Sequence, residues 1–86
     1  GDGIAALRQA APRSLHLVLI DPPFGQHGLF EPALQAAARA VATDGFIYLE
    51  APQAFGDEAL AASGLRAHRR LKAGAVHAHL LCLLSD

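Results

Sequence analysis

Leu15-His16-Leu17-Val18-Leu19-Ile20-Asp21-Pro22-Pro23-Phe24 decides the fold. From Leu15 to Ile20 the run is leucine-rich and β-branched and carries no Asp, Glu, Lys or Arg. That is the pattern of a strand buried on both faces, as parallel strands are. Two successive prolines have no backbone N–H and cannot extend a strand ladder, so the strand stops at Ile20. A carboxylate, two rigid carbonyls and an aromatic ring then stand at the carboxyl end of a buried strand. In open α/β sheets that is the end where ligands bind.

Upstream, Asp2 is a candidate N-cap for a short helix through Ile4, Leu7 and Ala11, ended by Pro12. Downstream, Gln26-His27-Gly28 reads as a loop. Phe30, Ala33, Leu34, Ala37 and Val41 then recur at helical spacing, with Pro32 in the first turn, where its missing N–H costs nothing. Thr43-Asp44-Gly45 reads as a turn, and Phe46 to Leu49 as a second apolar strand ending at Glu50 and Pro52. Asp57 to Ala62 forms a short helix with acidic residues at its positive end, and Gly64 suits its C-terminal cap.

From Leu65 to Leu71 the chain alternates, placing Arg66, His68, Arg70 and Lys72 on one face and Leu65, Ala67 and Leu71 on the other. Ala73-Gly74 makes a turn into a last strand, Val76 to Leu84. The expected class is therefore α/β: two parallel strands joined by a right-handed crossover, a closing antiparallel hairpin and flanking helices.

The 86 residues make a single domain, 1–86, with a limited core, since a chain this short hides only roughly 60 to 65 per cent of its unfolded surface. A hydrophobic content of 52% with 17% charged residues excludes a disordered tail or a fibre. A net charge of −1 gives no global field toward nucleic acid, so such a contact needs a local patch. The longest apolar run, Leu80 to Leu84, is too short to span a bilayer, and a single cysteine makes no internal disulfide. With no secretory signal visible, the expected setting is reducing and cytoplasmic. The opening Gly1-Asp2-Gly3, without Met, suggests a piece of a longer chain.

Taken together, the strand, its Asp21-Pro22-Pro23-Phe24 ending and the closing hairpin resemble the C-terminal half of a class I S-adenosylmethionine-dependent methyltransferase acting on the amino group of a base. In that superfamily an (Asp/Asn)-Pro-Pro-(aromatic) tetrad follows the fourth strand of a Rossmann-like, seven-stranded sheet. The sequence is most similar to the bacterial family that methylates N2 of a guanine in small-subunit ribosomal RNA, where the tetrad is Asp-Pro-Pro-Phe. Ile47-Tyr48-Leu49-Glu50 resembles that family's fifth strand, and Arg69 to Val76 its closing hairpin. The resemblance covers nearly the whole chain.

The chemistry of the tetrad follows from its atoms. The exocyclic amine of guanine is a poor nucleophile because its lone pair is delocalised into the ring. The Asp21 carboxylate and the Pro22 carbonyl can accept both amine hydrogens and aim the lone pair at an electrophilic methyl, and Pro23 beside them is a substrate-binding candidate. Phe24 can stack on the base, a contact worth about 1–3 kcal/mol. Reaching a base in structured RNA requires that the nucleotide be splayed or flipped out. Rival readings are a DNA adenine-N6 or cytosine-N4 methyltransferase, a nucleotide-hydrolase strand whose Asp serves magnesium, a simple Asp-Pro turn, and a non-catalytic RNA- or protein-binding module.

Other residues carry weaker signals. Asp2 matches an acidic position that the resemblance places near the cofactor's adenine, and it equally suits a helix N-cap. Arg66, Arg70 and Lys72, with His68, form a candidate RNA-phosphate patch, although charge on an outer strand also prevents edge-to-edge aggregation. His77 and His79 share a strand face but have no evident third ligand, so a structural role is expected and no metal site. Cys82 reads as a small buried hydrophobe, and Glu50 as a minor site candidate.

In the resembled family, a Gly-rich loop after the first strand and an acid after the second hold the cofactor. Neither stands in this sequence, so weak or no binding of S-adenosylmethionine by this chain alone is expected, without turnover. The expected partners are ribosomal RNA or the small subunit, and no membrane. The resemblance also implies that the fourth strand lies beside the absent first one. Leu15 to Ile20 would then be an unpaired apolar edge, and a dimer or oligomer is expected through it.

Overall fold

Leu15–Ile20 forms the first strand, β1, of the computed structural model, which describes residues 9–20 and 30–84. The expected first helix lies outside the described residues as far as Arg8; Gln9 is helical, but Ala10 and Ala11, within its expected span, are not. Loop Gln26-His27-Gly28 also lies outside them. Helix α1, Phe30–Ala40, begins with an acidic first turn at Glu31 and ends on Arg39, both in keeping with the helix dipole. It buries Ala33, Leu34 and Ala37 at the expected spacing. Its last carbonyls are capped from across the chain. The Arg13 guanidinium donates to the carbonyls of Ala38 and Arg39, and Arg39 returns a 2.8 Å bond to the Ala10 carbonyl.

Strand β2, Val41–Ala51, follows without the expected turn at Thr43-Asp44-Gly45, and Val41 opens the strand instead of closing the helix. The register explains the difference. Leu15 faces Val41 and Leu17 faces Phe46, so β1 advances by two residues while β2 advances by five, and three residues bulge out. Thr43 and Asp44 point to solvent, whereas Gly45 is buried where the two backbones meet. A Cβ at Gly45 would sit 2.9 Å from the His16 carbonyl oxygen and 3.0 Å from that of Leu15. From Leu17 to Ile20 the pairing with β2 is regular and parallel.

Helix α2, Asp57–Ala61, has five residues and buries Leu60. Gly64 then takes φ +78°, the left-handed position expected of a C-terminal glycine. Strands β3, Leu65–Ala73, and β4, Val76–Leu83, are joined by Gly74-Ala75. Gly74 has φ +62° and Ala75 no positive φ, the pattern of a two-residue hairpin turn whose first position favours glycine.

The sheet order is β1-β2-β4-β3, a mixed α/β sheet in which β4 lies between β2 and β3 and runs antiparallel to both. The core forms on one face, where Val18, Ile20, Leu34, Ile47, Leu49, Leu60, Leu65 and Leu81 pack together. Burial of β1 on both faces does not hold for this chain. Val18 and Ile20 are buried, but Leu17 and Leu19 are 59% and 69% exposed, because α1 and α2 pack on the same face. Cys82 is buried as a small apolar side chain, as expected.

Candidate functional site

The parallel pair sets the geometry of the site. Ile20, the last residue of β1, lies opposite Leu49, and β2 continues two residues further to Ala51. Asp21, Pro22, Pro23 and Phe24 follow directly in the sequence but lie outside the described residues, as does Asp2. The scaffold is described: a carboxyl edge where β1 ends, β2 ends and the hairpin turns. Ala51 pairs with His77 and Lys72 with His77, so the Gly74-Ala75 turn lies at that same edge. Glu50 is half-buried there, opposite Ala78 and on the sheet face away from the helices.

The expected basic face is split. Ala67 pairs with Leu81 and Arg69 with Leu80, so His68 is an extra residue in β3 and the alternation reverses after it. Leu65, Ala67, Arg70 and Lys72 therefore share the helix-covered face, while Arg66, Arg69 and Leu71 share the other. Arg66 also lies opposite Cys82, toward the amino ends of the parallel strands, and only Arg70 and Lys72 lie toward the carboxyl edge. The bulged His68 ring rests on Phe46, with centroids 5.3 Å apart. Strict alternation carries no sign of a bulge, which is why the sequence pattern misassigned these faces.

Among the described residues, His79 is the polar side chain buried in the core, 1% exposed. Its Nδ1 lies 3.3 Å from the Leu49 carbonyl, and its Nε2 accepts the Phe55 N–H at 3.1 Å. The Phe55 bond requires a lone pair on Nε2, so the proton sits on Nδ1 and the ring is neutral. Burial pushes its pKa below the ordinary value, with Arg70 and His77 adding like-charge repulsion. The structural role expected of this histidine is thus the one observed. Among the described residues no cluster of three or more His, Cys, Asp or Glu is placed to hold a metal.

Arg70 Nη2 donates to Asp57 Oδ1 at 2.6 Å and to the Phe55 carbonyl at 3.2 Å. Sequence reading missed these ties, because the partners stand 13, 15 and 24 residues apart and no local pattern joins them. Among the described residues no helix is long and apolar enough to cross a membrane.

No family model and no curated protein matches the sequence. Solved structures do match. The chain superposes over 100% of its length on yhhF from Escherichia coli, named as a methyltransferase, with a TM-score of 0.69 and 21% identity, covering 46% of that protein. Against a TehB-like S-adenosylmethionine-dependent methyltransferase from Corynebacterium glutamicum the TM-score is 0.68 with 20% identity, over 98% of this chain and 54% of the other. The chain therefore has the fold of about half of each of these two proteins.

Proposed function

We propose that this chain is the acceptor-site half of an S-adenosylmethionine-dependent methyltransferase acting on the exocyclic N2 of a guanine in small-subunit ribosomal RNA. One observation carries the reading. The strand that runs directly into Asp21-Pro22-Pro23-Phe24 ends at the carboxyl edge of a parallel pair, in a sheet whose fold is that of known methyltransferases. In this reading the Asp21 carboxylate and Pro22 carbonyl hold the two amine hydrogens, Pro23 stiffens the loop and Phe24 stacks on the base. Lys72, and Arg70 beside it, stand on the hairpin at the same edge, where an RNA phosphate would lie. Arg66 would meet RNA only on the opposite sheet face.

The cofactor supplies a methyl group already activated on a sulfonium. Neither the Gly-rich loop nor the acid that the resemblance assigns to cofactor binding stands in this sequence, so the chain alone should bind the cofactor weakly or not at all; calorimetry showing micromolar binding would overturn that.

The test is methyl transfer from labelled S-adenosylmethionine by the protein carrying both halves, beside its Asp21→Ala variant. Substrates are undermethylated ribosomal RNA, assembled small subunits and duplex DNA. Labelling of guanine in RNA that Asp21→Ala reduces at least about a hundredfold supports the reading, since the loss of one preorganised acceptor costs on the order of 3 kcal/mol. Labelling of DNA alone would establish the amino-methyltransferase of DNA instead. No labelling of any substrate by the folded protein would leave a binding module.

A further inference from the structure

Helices α1 and α2 pack on one face of the sheet, and among the described residues nothing covers the other. One row runs straight across that outer face: Leu19 stands opposite Tyr48, Tyr48 opposite Leu80 and Leu80 opposite Arg69. In the row nearer the start of β1, Leu17 stands opposite Phe46, and Arg66 opposite Cys82. The face is therefore apolar over β1, β2 and β4 and basic over β3. Glu50 is the acid that shares it, at the carboxyl edge. Among the described residues neither Arg66 nor Arg69 has a carboxylate within ion-pair distance.

Parallel strands ordinarily carry helices on both faces. A right-handed crossover that steps from β1 toward β2 sets its helix on one face, and one that steps away from β1 sets its helix on the other. Chain that extends this sheet beyond β1 by parallel strands therefore brings its helices over Leu17 and Leu19. Both solved neighbours contain comparable further chain, since the matched region is 46% of yhhF and 54% of the TehB-like protein. Pairing of β1 with another strand, by contrast, lies in the plane of the sheet and leaves the outer face open.

We propose that the outer face is a docking surface for an acidic amphipathic helix, whose apolar stripe covers Leu19, Tyr48 and Leu80 and whose flanking carboxylates meet Arg66 and Arg69. A helix about 10 Å wide spans two to three strands spaced about 4.8 Å apart. Lying over β2 and β4, it reaches the leucines of β1 on one flank and the arginines of β3 on the other. Charge complementarity fixes its orientation, because the acidic flank faces β3. Arg66 thereby takes a protein contact in place of the RNA phosphate expected from the sequence. Single-stranded RNA fits the face less well, since it binds by stacking on aromatic rings. The large exposed side chains here are Leu17, Leu19 and Leu71, and the Phe46 ring already carries the His68 ring at 5.3 Å. The docking surface does not depend on the methyl-transfer reading, and its test reads no methyl transfer.

The probes are two synthetic helical peptides about 18 residues long, each with one leucine stripe, flanked by glutamates in one and by lysines in the other. A uridine oligonucleotide is the third probe. Each is titrated into the chain while leucine methyl shifts are followed by NMR. Expected are saturable shifts of Leu17, Leu19 and Leu80 with the glutamate peptide and none at Leu34 and Leu60 in the core. The glutamate peptide should bind at least about tenfold more tightly than the lysine peptide. In the double variant Arg66→Glu, Arg69→Glu that preference reverses, and because both side chains are exposed the fold should hold. If the variant does not fold, the two peptides on the unsubstituted chain still decide the matter. Equal binding of both peptides, shifts confined to the helix-covered side, or no shifts at all would overturn the proposal. Shifts of the same leucines by the RNA, with neither peptide binding, would also overturn it and make the face an RNA platform.

Discussion

A buried neutral histidine makes stability depend on pH in a direction that can be worked out. Folded His79 has a pKa below the ordinary value of 6.5 that it regains on unfolding. Between the two values the unfolded chain binds more protons than the folded one, so stability falls as pH drops below 6.5 and levels off below the folded pKa. The slope in that window is at most about 1.4 kcal/mol per pH unit. Urea unfolding at pH 7.5 and 5.5 should show a loss that His79→Gln lacks. Equal losses in the two proteins would mean that other groups carry the acid sensitivity. By contrast, the Arg70–Asp57 pair, with side chains 42% and 87% exposed, adds about 0–1 kcal/mol, and its value lies in geometry.

Among the elements, β2 depends on one residue for its entry. The bulge at 42–45 brings the Gly45 backbone against the carbonyls of Leu15 and His16, with Val41 Cγ2 at 3.0 Å from the site of any Cβ. Two of these three neighbours are backbone and cannot swing aside. Gly45→Ala should therefore destabilise by about 1–3 kcal/mol, the usual cost of overpacking, and a thermal melt would read it as a lower Tm. Gly56→Ala serves as the control, since nothing lies within 4 Å of a Cβ there. Equal melting of the two variants would place the bulge elsewhere.

For the whole molecule, the consequence of the sheet order is its open side. Among the described residues β1 pairs on one edge only, and its outer face presents Leu17 and Leu19 beside the half-buried Phe46, Tyr48 and Leu80. An uncharged, proline-free edge invites pairing with another strand. We expect self-association through Leu15–Ile20, seen by sedimentation as a mass that rises with concentration and is reduced to monomer by Leu19→Lys. Because Leu19 is 69% exposed, the lysine should leave the fold intact. A monomer at all concentrations in the unsubstituted chain would sink the expectation.

The positions of β1, the core face of α1 and the hairpin were legible in the chain because apolar periodicity, proline and glycine act locally, within a few residues of where they stand. The tetrad after Ile20 is read from the sequence alone and lies outside the described residues. Tertiary structure decided what depends on distant partners. It placed the bulge that carries β2 past Gly45, the extra residue at His68 that turns Arg66 away from Arg70 and Lys72, and the use of His79 to hold Phe55. Register and buried hydrogen bonds arise where two segments meet, and neither segment alone encodes the offset between them.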